Sequence, residues 1–300
     1  MAMVKRKIIA LLIMSGTMVA TFGCVNHRGG MSMNLTKDES VADDTFLESF
    51  AATRRFSLGQ PTSITVTPDG REVLFLRSAA RSFERDLYAF DVASGQQKVI
   101  LTSEQILQGA VEELSVQERA RRERMRMTAR GIATYRLSKD GTQILVPLSG
   151  RLFVIERQSQ RIQELLSDAG FPIDPKFSPD GKHVSCVRNG EVYIYDLSSG
   201  KERQLTTGAE GTITNGLSEF VAQEEMGRFS GYWWSPDSRF IAYQQTDTAD
   251  VETFYIADAA HPSRSPHPWP YPRPGKKNAK VKLAVLPITG GGTRLGAVGR

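Results

Sequence analysis

Short runs of alternating apolar and polar residues recur along the chain. In Glu191–Leu197 (EVYIYDL), Val192 and Ile194 alternate with tyrosines, and β-branched and aromatic residues dominate. That composition with a period of two predicts a strand rather than a helix. Runs of the same kind cover Glu72–Leu76, Asp86–Val92, Gln143–Leu148, Arg151–Glu156, His183–Val187, Arg239–Gln244 and Thr253–Ala257. Each pair of runs follows a turn: Thr67-Pro68-Asp69-Gly70, Ser138-Lys139-Asp140-Gly141, Ser178-Pro179-Asp180-Gly181, and Ser235-Pro236-Asp237-Ser238. Proline at the second position presets φ, and Asp-Gly supplies the reversal. One turn-strand-strand pattern met four times predicts an all-β fold, a β-propeller of four-stranded blades, with about four to five blades present. A β-sandwich with fortuitous turns is the alternative.

The spacing of the repeat locates its insertions. From one turn aspartate to the next the steps are 71, 40 and 57 residues, the middle value being a bare blade. Insertions into repeat arrays tend to share one face, often the binding face. The first insertion holds Leu114–Gly131, where Ser115 and Glu118 have the spacing of a capping box and Gly131 suits a C-cap. Arg119, Arg121, Arg122, Arg124, Arg126 and Arg130 surround this predicted helix. Without an apolar stripe it is predicted to project as an Arg-rich arm rather than pack as core. The last insertion contains Glu224-Glu225 just ahead of Tyr232-Trp233-Trp234. Taken alone, two adjacent carboxylates read as a solvated surface pair, or, in a concave site, as a place for a cation. Beyond them, six prolines between Pro262 and Pro274 exclude a central strand and predict an extended surface crossing.

The chain's N-terminal part reads differently. Lys5-Arg6-Lys7 followed by the apolar Ile8–Ala20 has the form of an export signal, too short to span a bilayer. Gly23-Cys24 resembles a bacterial lipoprotein cleavage box, with Cys24 as the lipidated first residue, although Thr21 stands where leucine is usual. Ordinary cleavage nearby is the alternative. The expected organisation is a signal peptide over 1–23, a polar tether over 24–45, and a partial propeller over 46–300. Within residues 43–55 a short helix is predicted, with Phe46, Leu47 and Phe50 facing inward.

Composition narrows function mainly by exclusion. With 40% hydrophobic and 24% charged residues the 300-residue chain is ordinary globular protein. Its net charge of +5 is local to Lys5–Lys7 and to the arginines of 119–130, so no broad basic face argues for nucleic acid. Cys186 lies in an apolar run and reads as core. No cluster of metal-ligand type, no phosphate loop and no G-x-S-x-G occurs, so neither a metal nor a cofactor is expected.

The order E-F-V-x-x-E-E over 219–225, then Y-W-W-S-P-D-S over 232–238, resembles the double-glutamate segment of the dipeptidyl peptidase IV family. The arm's E-x-A-R-R-E-R (118–124) and the Y-P-x-x-G near 271–275 are also similar. The resemblance implies an eight-bladed propeller covering a serine hydrolase domain, which would lie after residue 300. It also implies that Glu224 and Glu225 bind the α-ammonium of a peptide substrate with a free N-terminus. An arm arginine, Arg122 or next Arg121, would grip the peptide carbonyl. On this reading the chain is the recognition part of an exported, lipid-anchored dipeptidyl peptidase that releases X-Pro or X-Ala dipeptides. It would be inactive without the absent domain, and a homodimer of the complete enzyme is compatible with it. The rival readings are a noncatalytic periplasmic propeller that binds peptides or proteins, and a propeller-capped peptidase of other specificity.

Overall fold

The computed structural model describes residues 45–291 and the backbone of 294–297. The signal, the tether and Cys24 lie outside the described residues. Four antiparallel sheets follow one another along the chain. The first consists of β1 (Thr62–Val66), β2 (Glu72–Ser78), β3 (Glu84–Asp91) and β4 (Gln97–Leu101), with a two-residue β5 (Arg130–Gly131) added parallel to β3. The second is β6 (Arg136–Leu137), β7 (Gln143–Leu148), β8 (Arg151–Glu156) and β9 (Ile162–Leu165). The third is β10 (Ile173–Phe177), β11 (His183–Arg188), β12 (Glu191–Asp196) and β13 (Lys201–Gln204). In the fourth, β14 (Ile213–Asn215) and β15 (Tyr232–Trp234) pair with β16 (Phe240–Asp247), followed by β19 (Lys280–Pro287) and β20 (Arg294–Ala297). Simple up-and-down order repeated sheet after sheet is the arrangement of propeller blades.

Three apolar cores lie between successive sheets, and strand alternation explains them. On β7, Ile144, Val146 and Leu148 pack with Leu74, Leu76 and Leu87 of the first sheet, whereas Leu145 packs with Val184 and Cys186 of the third. On β8, Phe153 and Ile155 face the first sheet while Leu152 and Val154 face the third. A strand buried on both faces thus distributes its side chains to two neighbours. Val187 and Val192 join Tyr232, Ile241, Tyr243 and Leu286 between the third and fourth sheets. Cys186 is a free, buried thiol, and burial pushes its pKa up to about 12. It is core.

The four turns are built alike. The hydroxyls of Thr67, Ser138, Ser178 and Ser235 donate to the aspartate two residues on, at 2.6, 2.6, 2.5 and 2.5 Å. In each, the backbone N–H two residues after the aspartate donates to the same oxygen, at 3.1 Å. The fourth residue has positive φ, and where the others use glycine the last uses Ser238 at +61°. Its hydroxyl accepts from Asp180 N at 3.0 Å, tying the fourth turn to the third. That inter-sheet bond is a physical reason for a non-glycine residue in a left-handed position.

Four expectations need correction. Thr253–Ile256, predicted to pair with the 239–244 strand, instead forms β17 and pairs with β18 (His267–Pro270) as an exposed two-stranded hairpin. β16 takes β19 as its neighbour. The proline-rich segment does lie outside the main sheets, since proline cannot donate to a central ladder. In α1 (Thr45–Ala52) no residue is buried, and Phe46, Leu47 and Phe50 are exposed, the two phenylalanines stacking on each other and meeting the Phe56 ring tilted and edge-on instead. Before the arm, Thr102 and Gln105 form a full capping box at α2 (Ser103–Leu107). The arm helix α3 (Val116–Arg124) is shorter than predicted and ends at Met125, and Gly131 lies in β5 rather than at a cap. Finally α3 does not project. Arg121, Arg122 and Arg124 have side chains only 14, 10 and 14% exposed: Arg121 pairs with Glu118 of the same helix, Arg122 with Glu112 ahead of it, and Arg124 with Gln223, Glu224 and the rings of Phe220 and Trp269.

Candidate functional site

The segment between β14 and β15 carries the paired glutamates. Helix α4 (Phe220–Glu224) is a single turn with Glu219 at its N-cap and Glu225 at its C-cap. It is closed by Glu225 N donating to Val221 O at 2.9 Å and Arg228 N to Ala222 O at 2.8 Å. Ala222 packs fully inward, and Phe220 meets the Tyr271 ring edge-on at 4.9 Å. Glu224, Glu225, Met226 and Gly227 are all exposed. The two glutamates therefore stand side by side at the free end of a short helix, open to a ligand.

An arginine from the arm reaches Glu224, and it is Arg124. Its Nε lies 3.5 Å from Glu224 Oε1 and its Nη1 donates to Gln223 Oε1 at 2.8 Å. The guanidinium also sits 5.0 Å from both the Phe220 and Trp269 ring centroids. Desolvation pulls its pKa down while Glu224 and Glu123 act in the opposite direction. Arg122 is buried and binds Glu112 at 2.9 Å and Glu118 at 3.0 Å. Arg121 pairs with Glu118 at 3.4 Å, and its buried Nε has no hydrogen-bond partner. The structure thus brings Glu224 together with Arg124, with Glu225 next to it in the chain, while Arg122 is engaged inside the arm. Ser115 caps α3 as predicted, accepting from Glu118 N at 3.1 Å, but the Glu118 carboxylate is bound to arginines.

Beyond the glutamates, the segment is fastened to the third sheet. Ser230 donates to Asp174 Oδ2 at 2.7 Å, and Lys176 Nζ lies 2.9 Å from the same oxygen. Lys176 also donates to Tyr232 O at 2.6 Å and sits 3.9 Å from the Tyr232 ring centroid. Its burial lowers its pKa, and Asp174 opposes that shift. Arg136 of the second sheet completes the set, 3.1 Å from Asp174 Oδ1. Among the described residues no group of three His, Cys, Asp or Glu side chains is placed to hold a metal, and no helix is long and apolar enough to cross a membrane.

Residues 138–298, more than half of the chain, match the family described as "Dipeptidyl peptidase IV (DPP IV) N-terminal region". The chain belongs to that family. Human dipeptidyl peptidase 8 is 26% identical over 200 residues, which cover 58% of this chain and 22% of that protein. Cat dipeptidyl peptidase 4 is 30% identical over 132 residues, 41% of this chain and 17% of that one. Mouse prolyl endopeptidase FAP is 31% identical over 118 residues, 38% of this chain and 15% of that one. The crystal structure of Porphyromonas gingivalis dipeptidyl peptidase 4 has the same fold, with a TM-score of 0.58 at 22% identity. That match covers 78% of this chain and 32% of that one. The chain spans about a fifth of the curated relatives and a third of the solved structure.

Within this dipeptidyl peptidase IV N-terminal region, four side chains escape sequence reasoning. Arg124 is one of six arginines on the arm, and nothing in their spacing marks it. Lys176 and Asp174 lie on β10, just ahead of the third turn, where sequence reasoning assigns no strand. Arg228, which pairs at 3.0 Å with Glu219 of the E-F-V-x-x-E-E stretch, is the fourth.

Proposed function

We propose that this chain is the substrate-recognition part of an exported dipeptidyl peptidase IV-type serine exopeptidase. Glu224 and Glu225 bind the α-ammonium of a peptide, a compact cation with three donors. An arm arginine holds the first peptide carbonyl and so measures the distance to the scissile bond. The observation that carries this reading is the exposed Glu224-Glu225 pair, presented at a helix end and met by an arginine from a separate insertion. Arg124 is the arm residue at the pair, and Arg126, exposed and left-handed just after it, is the next position to test. Charge-assisted contacts of this kind are strong and restrictive in geometry. Acyl transfer would be performed by a catalytic part of the enzyme outside these 300 residues. Lipidation at Cys24 would hold it at the membrane.

In the complete enzyme, Glu224→Gln and Glu225→Gln keep size and hydrogen-bonding capacity but remove charge. A lost charge-assisted contact is worth about 1.5–3 kcal/mol, about tenfold to a hundredfold in kcat/KM. Acetylating the peptide's N-terminus should abolish cleavage by the wild type. If both glutamine variants keep full activity on free-amine peptides, the pair is only solvated surface.

A further inference from the structure

Residues 219–230 carry the two glutamates, yet Ala222 alone among them is buried. Ala222 and Phe220 anchor the start of the segment by packing. Polar contacts hold the rest, and one side chain joins its two ends. Arg228 donates through Nη2 to both Glu219 oxygens, at 3.0 and 3.4 Å, and through Nη1 to Ser230 O at 3.0 Å. Glu219 also accepts from the Gln244 side-chain amide. Gln244 lies on β16, is 3% exposed, and is held against Thr246 Oγ1 at 2.8 Å. One guanidinium thus joins the first residue of the segment to its last, and Glu219 passes that restraint to the central strand of the fourth sheet.

We propose that Arg228 and Glu219 form a positioning clip for Glu224 and Glu225. The clip contacts no ligand; it fixes the direction in which the two carboxylates are presented, and so sets the preference for a free α-ammonium. This inference rests on the reading that the glutamates bind that ammonium. A planar fork is required, because it must satisfy Glu219 and Ser230 O at once, in fixed directions. A lysine at position 228 keeps the charge and loses the geometry.

The test is binding of the tripeptide Ala-Pro-Ala and of its N-acetylated form to the whole chain, followed by titration calorimetry, with thermal unfolding measured alongside. The wild type should prefer the free amine. Arg228→Gln and Arg228→Lys should each reduce that preference about tenfold, since small displacements of a binding group are costly. Glu219→Gln, which keeps a neutral acceptor, should produce a smaller loss and serves if the Arg228 variants fail to fold. Glu224→Gln is the control for the underlying reading. If it loses the preference while the Arg228 and Glu219 variants retain it, the clip is refuted and the reading survives. A fall in Tm with unchanged preference in those variants means a structural role only, and also refutes it. If the wild type shows no dependence on the free amine, or Glu224→Gln keeps the full wild-type preference, the reading fails and the inference with it.

Discussion

Arg122 and Arg124 lie two residues apart on one helix, and their replacement should have opposite consequences. Arg122→Ala removes ion pairs of 2.9 Å to Glu112 and 3.0 Å to Glu118, whose side chains are only 9 and 16% exposed. Stripping one partner from a buried pair costs about 3–5 kcal/mol when the other charge is left uncompensated. Here each carboxylate keeps a donor: Gly131 N to Glu112 at 3.2 Å, and Arg121 to Glu118 at 3.4 Å. The expected loss is therefore about 2–3 kcal/mol, or roughly 4–10 °C in Tm for a chain of this size. Arg124→Ala removes a longer contact to a glutamate whose side chain is 39% exposed, together with a 2.8 Å bond to Gln223 and two ring contacts. It should cost about 1–2 kcal/mol in stability, and weaken recognition of a free-amine peptide. Thermal unfolding and peptide titration well below both midpoints separate the two effects. A stable Arg122→Ala protein that no longer distinguishes free from acetylated peptide would refute this assignment and return Arg122 to the ligand.

Two further outcomes are expected. The turn aspartates should contribute to acid sensitivity: Asp69 is held at about 2, chiefly by the Thr67 hydroxyl, and Asp196 at about 2, chiefly by Ser198, against 3.8 for the free group. Because the folded values are depressed, their contribution is present above the unperturbed value and disappears as pH falls through about 4 to 2; acid unfolding of Asp69→Asn should be less steep than wild type, and identical curves would contradict this. Cys24→Ala should move the expressed protein from the detergent to the aqueous phase on phase separation, and unchanged partitioning would exclude a lipid anchor.

The sheets were legible because their signals are local. A hydroxyl, an aspartate and a residue of positive φ within four positions specify each turn wherever it occurs, and Ser138 and Ser235 close theirs as Ser178 does. What local patterns do not contain is the identity of a partner. Thr253–Ile256 has strand composition, but its pairing with His267–Pro270 rather than with β16 depends on a proline-rich return. Phe46, Leu47 and Phe50 define an apolar face without saying whether anything covers it. Glu224-Glu225 was legible through resemblance, whereas the choice among six arm arginines was not. That choice depends on Gln223 and Glu224, 99 residues from Arg124 in the case of Gln223.

This separation in sequence has a consequence for how the site is assembled. Arg124 comes from the insertion between β4 and β5 of the first sheet, and Glu224 from the insertion after the third. The distance between them is therefore set by the three stacked interfaces that intervene: Leu74 and Leu76 against Ile144 and Val146, Leu145 and Leu152 against Val184 and Cys186, then Val187 and Val192 against Tyr232 and Ile241. Polar contacts cross the same boundaries: Arg157 to Asp69 at 2.7 Å, Arg136 to Asp174 at 3.1 Å, and Asp180 N to Ser238 at 3.0 Å. Packed interiors shift in discrete rearrangements rather than continuously. A core substitution such as Val184→Ala should therefore weaken the Arg124–Glu224 contact only where it lets the second and third sheets repack. The proposed recognition site is a property of the stack of sheets as much as of the segment that carries its charges.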